Sequence, residues 1–124
     1  MAEPSSRKHV LVDWWIRDVQ WLEHSGPMRT ELISATQLFG FNVVHDHFHD
    51  FDPVGYTGFL LLSESHLSVH SWTDEGYLAL DIFSCRTGNL SALVEYLRNR
   101  LSPYRECFLE RPRGVIERLG GRNR

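Results

Sequence analysis

The segment from Ser63 to Trp72, SESHLSVHSW, contains the side chains best suited to chemistry. Serine hydroxyls can act as nucleophiles, and histidine can exchange a proton near neutral pH. These polar residues interrupt apolar sequence on both sides, where a simple hairpin would carry Gly or Asn. For an arbitrary sequence the simpler interpretation is a polar loop, so the assignment of chemistry depends on a more specific pattern.

The lysine content excludes one common way of handling amines. The chain has a single lysine, Lys8, close to its N-terminus. Enzymes that use pyridoxal phosphate hold it through a lysine Schiff base. Because Lys8 is poorly placed for that role, we predict no pyridoxal phosphate, while amine chemistry by another route stays open.

Composition restricts the class of protein further. The chain has 124 residues and 42% hydrophobic content, which predicts one globular domain over residues 1–124. Thirteen basic and sixteen acidic residues give a net charge of -3, which argues against a nucleic-acid partner. No apolar run has the length of a membrane helix, so no membrane partner is expected. Two cysteines, Cys85 and Cys107, make no disulfide framework, and we therefore expect a cytoplasmic protein.

The elements that must position these residues follow from periodicity and turn signals. Ser25-Gly26-Pro27 predicts the start of a helix that ends at Gly40, and Asn89 is the predicted N-cap of a second helix. Predicted strands cover residues 9–16, 41–51, 56–63, 76–84 and 104–111. Residues 113–124 are predicted to form a mobile basic tail.

The order of these elements predicts an α+β fold, a two-layer sandwich with two helices on one face of an antiparallel sheet. Such a sheet leaves a face and edges exposed, and a chain of this length has little area for a deep pocket. A homodimer with its site near the interface would solve both problems.

The stretch from Phe48 to Cys85 resembles the prokaryotic S-adenosylmethionine decarboxylase proenzyme family, which is pyruvoyl-dependent. That family carries a Phe-His-x-Phe-x-Pro-x-Gly-x-Ser/Thr-Gly run, then Glu-Ser-His-Leu-Ser/Thr-x-His-Thr-Trp, then Phe-x-Cys. The matching positions in this chain are Phe48, His49, Phe51, Pro53, Gly55, Thr57, Gly58, Glu64, Ser65, His66, Leu67, Ser68, His70, Trp72, Phe83 and Cys85. The resemblance implies the same α+β fold.

The resemblance also implies that the chain makes its own cofactor. Ser65 would attack the carbonyl of Glu64, turning an amide into an ester. Loss of the Ser65 α-proton would then expel the upstream chain, and the remaining dehydroalanine would hydrolyse to a covalently bound pyruvoyl group. Cleavage between Glu64 and Ser65 would give a β chain of residues 1–64 and an α chain of residues 65–124.

The family pattern assigns a role to several further residues. His70 would be the base for the α-proton, and the Thr57 hydroxyl would assist the acyl shift. Cys85 would donate the proton that quenches the carbanion after a substrate amine forms a Schiff base with the pyruvoyl ketone. For Cys107, which lies outside the pattern, we predict a buried structural thiol.

A metal site is the competing interpretation of the histidines. His45, His47 and His49 alternate along one predicted strand, so their side chains share a face, and Asp46 and Asp50 lie beside them. Only His49 belongs to the family pattern, and pyruvoyl chemistry requires no metal. We therefore predict no metal.

Substrate choice depends on four residues. Phe51 stands where the family stacks an aromatic ring on adenine, and Phe48 is close to it in sequence. The family glutamate that binds both ribose hydroxyls is replaced by Asp74, followed by Glu75. The aromatic residues favour S-adenosylmethionine, whose decarboxylation serves spermidine synthesis. The acidic pair leaves L-ornithine or L-arginine as an alternative, since relatives on this fold decarboxylate them. A hypothesis of another class is an inactive dimeric binding module.

Overall fold

The computed structural model describes residues 7–85 and 87–116, without the side chains of residues 87 and 88. Within these ranges the chain forms six strands and two α-helices. In chain order they are β1 (Lys8–Trp15), α1 (Ser25–Leu38), β2 (Val43–Asp50), β3 (Tyr56–Leu62), β4 (Ser65–Trp72), β5 (Tyr77–Ser84), α2 (Thr87–Leu101) and β6 (Arg105–Pro112). Short 3-10 turns lie at Val19–Trp21 and Thr73–Glu75. Neither helix is long and apolar enough to cross a membrane.

The strands form one sheet in the order β2-β3-β4-β5-β1-β6. Every neighbouring pair is antiparallel. The predicted two-layer α+β sandwich is therefore confirmed, and β4 is a central strand of its sheet. β4 lies between β3 and β5, so the cross-strand neighbours of its side chains come from these two strands.

Alternation along the strands separates a core face from an open one. Val10, Val12 and Trp14 of β1 are buried, and Leu67 and Val69 of β4 are completely buried. Because successive side chains in a strand point to opposite sides, the residues between them lie on the other side of the sheet. We call that side, which carries Leu11, Phe59, His70 and others, the outer face. The core is the side that the helices cover.

The segment from Ser65 to Trp72 is a regular strand, not the polar loop that composition alone favours. The buried residues Ser65, Leu67, Val69 and Ser71 alternate with more exposed ones, which is the pattern of a half-buried strand. Two of the buried positions are serines, and this hides the hydrophobic alternation in the sequence. Ser71 is satisfied there because its hydroxyl donates to the Leu22 carbonyl at 2.8 Å and accepts from the Tyr56 amide at 3.0 Å.

The structure bears on two local predictions, the N-cap of the second helix and the C-terminal tail. Helix α2 begins at Thr87, so the predicted N-cap Asn89 is wrong; its side-chain amide donates instead to the Phe39 carbonyl. In the predicted tail, the Arg113 amide donates to the Arg7 carbonyl at 2.9 Å, and its guanidinium lies 3.0 Å from His9 Nδ1. Residues 117–124 of that tail lie outside the described residues.

Candidate active site

The first group of predicted residues meets at the N-terminal end of β4, and we call Glu64, Ser65 and Cys85 the Ser65 end. Ser63 and Glu64 form the two-residue turn between β3 and β4, where Leu62 pairs with Ser65. Cys85 follows directly after β5, and its thiol donates to Glu64 Oε1 at 3.1 Å. The Glu64–Ser65 peptide bond therefore joins the exposed turn to the first residue of β4, and the Cys85 thiol lies against the Glu64 side chain.

On the Ser63 side, the turn is anchored to Asn42. The Asn42 amide group donates to Ser63 Oγ at 2.7 Å, and the Ser63 amide donates to the Asn42 carbonyl at 3.1 Å. Ser65 itself is 8% exposed on the core face. It borders a cavity of about 320 Å³ that is also lined by Phe41 and Asn42. This volume lies in the range of small-molecule pockets, so a group formed at residue 65 has free space beside it.

The second group meets at the opposite end of β4, and we call Phe51, Thr57, His70, Trp72 and Asp74 the His70 end. Thr57 of β3 and His70 of β4 are directly opposed across the sheet. Their side chains are hydrogen-bonded, with Thr57 Oγ1 3.1 Å from His70 Nδ1. This contact fixes the orientation of the imidazole ring and leaves Nε2 as the nitrogen available to another partner.

The His70 end is a pocket of about 350 Å³ lined by all five of its residues. The glycine at position 55 also lines it and adopts φ +99°, a conformation that glycine tolerates far better than other residues. Asp74 lies in the 3-10 turn after β4, at the rim of the pocket. Glu75 is exposed and is not among the pocket-lining residues, so only one carboxylate of the predicted acidic pair faces this space.

Trp72 is a pocket residue to which the sequence analysis gave no role. Its ring stacks on Tyr77 at 5.1 Å between centroids, and Tyr77 stacks on Trp15 at 5.2 Å. Desolvation and a hydrogen bond to Asp13 raise the pKa of Tyr77 to about 12, so its phenol stays neutral at working pH. The position of Trp72 at the end of the family motif was the signal that could have identified it.

Phe48 occupies a different place from Phe51. Its ring packs on the core side against Gly58, where an added Cβ would approach Phe48 Cδ2 to 2.0 Å. Phe51 is exposed at 47% and lines the pocket. Phe48 therefore has a packing role that Phe51 lacks, and its contribution to substrate binding stays a prediction.

The two ends are far apart within one chain. Ser65 and His70 are separated by five residues of extended strand, which at about 3.3 Å each gives about 16 Å. An odd separation also directs their side chains to opposite faces of the sheet. His70 therefore cannot reach Ser65 of its own chain by a hydrogen bond, although both belong to one short motif.

Two further features lie outside these ends. Cys107 is exposed on β6 opposite Asp13, which corrects the prediction of a buried thiol. A separate cleft of about 210 Å³ between α2 and the strands β1 and β6 is lined by Lys8, Leu90 and Phe108 among others. It contains none of the predicted site residues.

The comparison with family models decides the family. The model described as S-adenosylmethionine decarboxylase matches residues 8–114. The chain belongs to the S-adenosylmethionine decarboxylase family. This match spans every strand and helix of the described structure and both ends of β4, and it confirms the predicted membership in a decarboxylase family.

Named relatives agree with this assignment. The S-adenosylmethionine decarboxylase proenzyme of Sulfurihydrogenibium sp. is 34% identical over 109 residues, which are 87% of this chain and 82% of that one. The proenzyme of Methanococcus vannielii is 30% identical, covering 89% and 91% of the two chains. The crystal structure of the adenosylmethionine decarboxylase from Aquifex aeolicus VF5 is similar with a TM-score of 0.83 at 25% identity, covering 94% of this chain and 97% of that chain.

Proposed function

We propose that this family member is a self-processing decarboxylase that cuts itself between Glu64 and Ser65 and acts on S-adenosylmethionine. The observation that carries the proposal is the exposed two-residue turn that ends at that bond, with the Cys85 thiol 3.1 Å from Glu64 Oε1. A bond in a turn is accessible to distortion, whereas a bond inside the sheet is held by ladder hydrogen bonds. The names of the relatives, which are proenzymes, support the same interpretation.

Processing uses groups of the chain itself. Ser65 Oγ would attack the Glu64 carbonyl carbon, the C–N bond would break, and the nitrogen would take a proton, leaving an ester. Removal of the Ser65 α-proton then forms a Cα=Cβ bond and expels the Glu64 carboxylate. Hydration and loss of ammonia complete a pyruvoyl group at residue 65. The cavity beside Ser65 offers space for that group.

The base in this scheme is His70 of a second copy. Within one chain about 16 Å of strand separates it from Ser65. The outer face carries several exposed apolar side chains, among them Leu11, Phe59, Leu61 and Leu109, which is typical of a surface that binds a partner. Two outer faces stacked with their β4 strands in opposite directions would bring the Ser65 end of one copy to the His70 end of the other.

Residues of the His70 end then have defined tasks. If His70 donates its Nδ1 proton to Thr57, Nε2 carries the lone pair that takes the α-proton. Once formed, the pyruvoyl ketone supplies an acceptor for the electrons released when the substrate loses its carboxylate. Cys85, at the Ser65 end, would return a proton to the substrate carbon.

The pocket of the His70 end supports a nucleoside substrate. Phe51 and Trp72 offer two aromatic surfaces for adenine, and Asp74 offers a carboxylate to the ribose hydroxyls. L-Ornithine or L-arginine remains the second candidate because their distal cations would also suit a carboxylate. The position of Glu75 outside the pocket weighs against a two-carboxylate cation site.

Denaturing mass spectrometry tests the proposed cleavage. We expect two species, residues 1–64 and a blocked chain that begins at residue 65. Ser65→Ala should leave one intact chain, while Ser63→Ala, which removes the hydroxyl on the other side of the turn, should still be cut. An intact wild-type chain after long incubation would favour the inactive binding module.

A substrate panel on the cleaved protein then decides specificity. Carbon dioxide release is measured with S-adenosylmethionine, ornithine and arginine at equal concentration. Preference for the nucleoside substrate is expected. Faster release from either basic amino acid would replace S-adenosylmethionine by that substrate and leave the processing scheme intact.

A further inference from the structure

Three side chains from three strands converge on the outer face near the Ser65 end. His9 of β1, His66 of β4 and Asp81 of β5 each present one donor atom, and these atoms all lie within 4.8 Å of one another. His9 Nε2 lies 2.7 Å from Asp81 Oδ2, and His66 Nε2 lies 3.7 Å from the same oxygen. Among the described residues this is a group of three potential metal ligands, and it does not include His45, His47 or His49.

We propose that His9, His66 and Asp81 form a binding site for one divalent transition-metal ion, of which Zn²⁺ is the best match. Two imidazoles and one carboxylate are a common donor set for zinc, with a fourth position for water. Bonds of about 2.1 Å in a tetrahedral site place ligand atoms about 3.4 Å apart, and the distances here lie on both sides of that value.

The surroundings already orient the carboxylate. The Ser68 hydroxyl donates to Asp81 Oδ1, which leaves Oδ2 directed at the two histidines. Such outer hydrogen bonds hold ligands in place in metal sites. The His9 and His66 rings meet edge to face at 5.9 Å, and both contact Phe83, so the rings are confined before any ion binds.

One neighbour opposes metal binding. Arg113 lies 3.0 Å from His9 Nδ1, and a guanidinium can only donate. His9 therefore accepts at Nδ1 and carries its proton on Nε2, the atom that faces Asp81. To bind the ion through Nε2, the ring must move this proton to Nδ1 and Arg113 must turn away. The site therefore predicts that removal of the Arg113 guanidinium strengthens metal binding.

The ligands also divide between the two pieces of the cleaved chain. His9 belongs to residues 1–64, whereas His66 and Asp81 belong to residues 65–124. A bound ion would connect the two pieces across strands β1, β5 and β4 in the processed protein. This consequence rests on the cleavage proposed above, while the metal site itself does not.

Zn²⁺ alone is the probe for the experiment. Chelator-treated full-length protein is titrated with ZnCl₂ by calorimetry, using the Ser65→Ala chain so that the result does not depend on cleavage. We expect one Zn²⁺ per chain. His9→Gln and His66→Gln should each weaken Zn²⁺ affinity by roughly tenfold or more, because the loss of even an outer-shell partner costs about tenfold and these residues are direct ligands. His47→Gln, also exposed on the outer face, is the matched control and should bind like the parent.

Two other measurements keep the site testable if a histidine variant fails to fold. Arg113→Gln should bind Zn²⁺ several-fold more tightly than the parent, and Co²⁺ should give visible bands of four-coordinate intensity without any substitution. No stoichiometric uptake of Zn²⁺, or equal binding after loss of either His9 or His66, overturns the site.

The connection between the pieces has its own readout. Zn²⁺ should raise the thermal midpoint of the cleaved protein more than that of Ser65→Ala, because ligand binding stabilises the state that holds all its ligands together. Equal stabilisation of both forms would overturn the connection but not the site. Absence of cleavage in the wild-type chain would overturn the proposed function and leave the titration of Ser65→Ala unaffected.

Discussion

The two ends of β4 differ in which groups of the candidate active site a single chain supplies there. The His70 end is complete: Thr57 and His70 are hydrogen-bonded, and Phe51, Trp72 and Asp74 surround one pocket. The Ser65 end has the bond proposed for cleavage, a hydroxyl and a thiol, and its neighbouring histidine, His66, lies on the face of the sheet opposite to the Ser65 side chain. In the proposed scheme one end supplies the binding surface and the base, and the other supplies the bond to be cut. That scheme therefore requires a second copy to bring the two ends together.

Mixing two inactive chains gives the largest expected effect. Ser65→Ala and His70→Ala should each be uncut alone. Co-expressed at equal levels they form mixed dimers, in which one site combines an intact Ser65 with an intact His70, so about half of the His70→Ala chains should be cleaved. Mass spectrometry distinguishes the two chains by mass.

A site contained in one chain gives the opposite result for that mixture, namely no cleavage.

His70→Ala alone should accumulate the ester, so hydroxylamine should split it at residue 64. If hydroxylamine has no effect, His70 acts before the ester and not on the α-proton.

Cys85→Ala tests the chemistry of the Ser65 end after processing. The variant should still be cleaved, because no step of cleavage assigns a proton to the thiol. Its turnover should fall by about 10²–10⁴-fold, the usual contribution of a positioned proton donor. Cys107→Ala, exposed on β6, is the control with unchanged turnover. Full activity of Cys85→Ala would reassign the donor.

The pair Phe48→Ala and Phe51→Ala separates packing from binding. Phe48 lies half-buried against Gly58, so its loss should lower the free energy of unfolding by about 2 kcal/mol, less than the ~3–5 kcal/mol for a fully buried phenylalanine. Phe51→Ala should change stability by about 0.5 kcal/mol or less and raise KM. Urea unfolding and steady-state kinetics measure the two effects. A rise in KM for Phe48→Ala would show that Phe48 also contributes to substrate binding, and no rise for Phe51→Ala would remove Phe51 from that role.

Asp74→Asn and Glu75→Gln sharpen the assignment of the His70 pocket. Asp74 lines the pocket, so loss of its charge should raise KM for S-adenosylmethionine roughly tenfold, as expected for hydrogen bonds to a charged group. Glu75→Gln should change KM less than about twofold, within the range of surface substitutions. Equal effects of the two would mean that both carboxylates contact the substrate.

The smallest expected effect concerns Glu106 of β6, which lines the pocket of neither end. Hydrogen bonds from Arg98, and then from Trp14, hold the pKa of Glu106 below its ordinary value of 4.5. A carboxyl whose folded-state pKa is lowered stabilises the protein above its unfolded pKa, and this stabilisation is lost as pH falls through the folded-state pKa. In Glu106→Gln the free energy of unfolding should therefore fall less steeply below about pH 4.5. The difference from the parent should be about 1 kcal/mol or less, because the pair is partly exposed. Urea midpoints at pH 3 to 7 measure it. Unchanged cleavage in the variant would confirm that this region is independent of the site.

Much of the architecture could be read from the chain alone. Glycine and proline signals predicted the limits of α1 to within two residues, and five of six strands followed from apolar periodicity. The order of motif residues also identified the family and the bond proposed for cleavage. β4 was the strand that the periodicity did not reveal, because serines occupy two of its buried positions, and the partners of one of them, Ser71, are a carbonyl and an amide group of distant segments.

Relations across strands were decided only by the tertiary structure. A short motif makes Ser65 and His70 look like neighbours, but an extended backbone separates them by about 16 Å and turns them to opposite faces. Conversely, His9, His66 and Asp81 are distant in sequence and meet because the register of β1 and β4 against β5 aligns them. Periodicity indicates which residues of a strand share a face, but it does not tell which strands are neighbours, and here β1 lies between β5 and β6. The residues of the site could therefore be named from the sequence, whereas its division into two ends came from the fold.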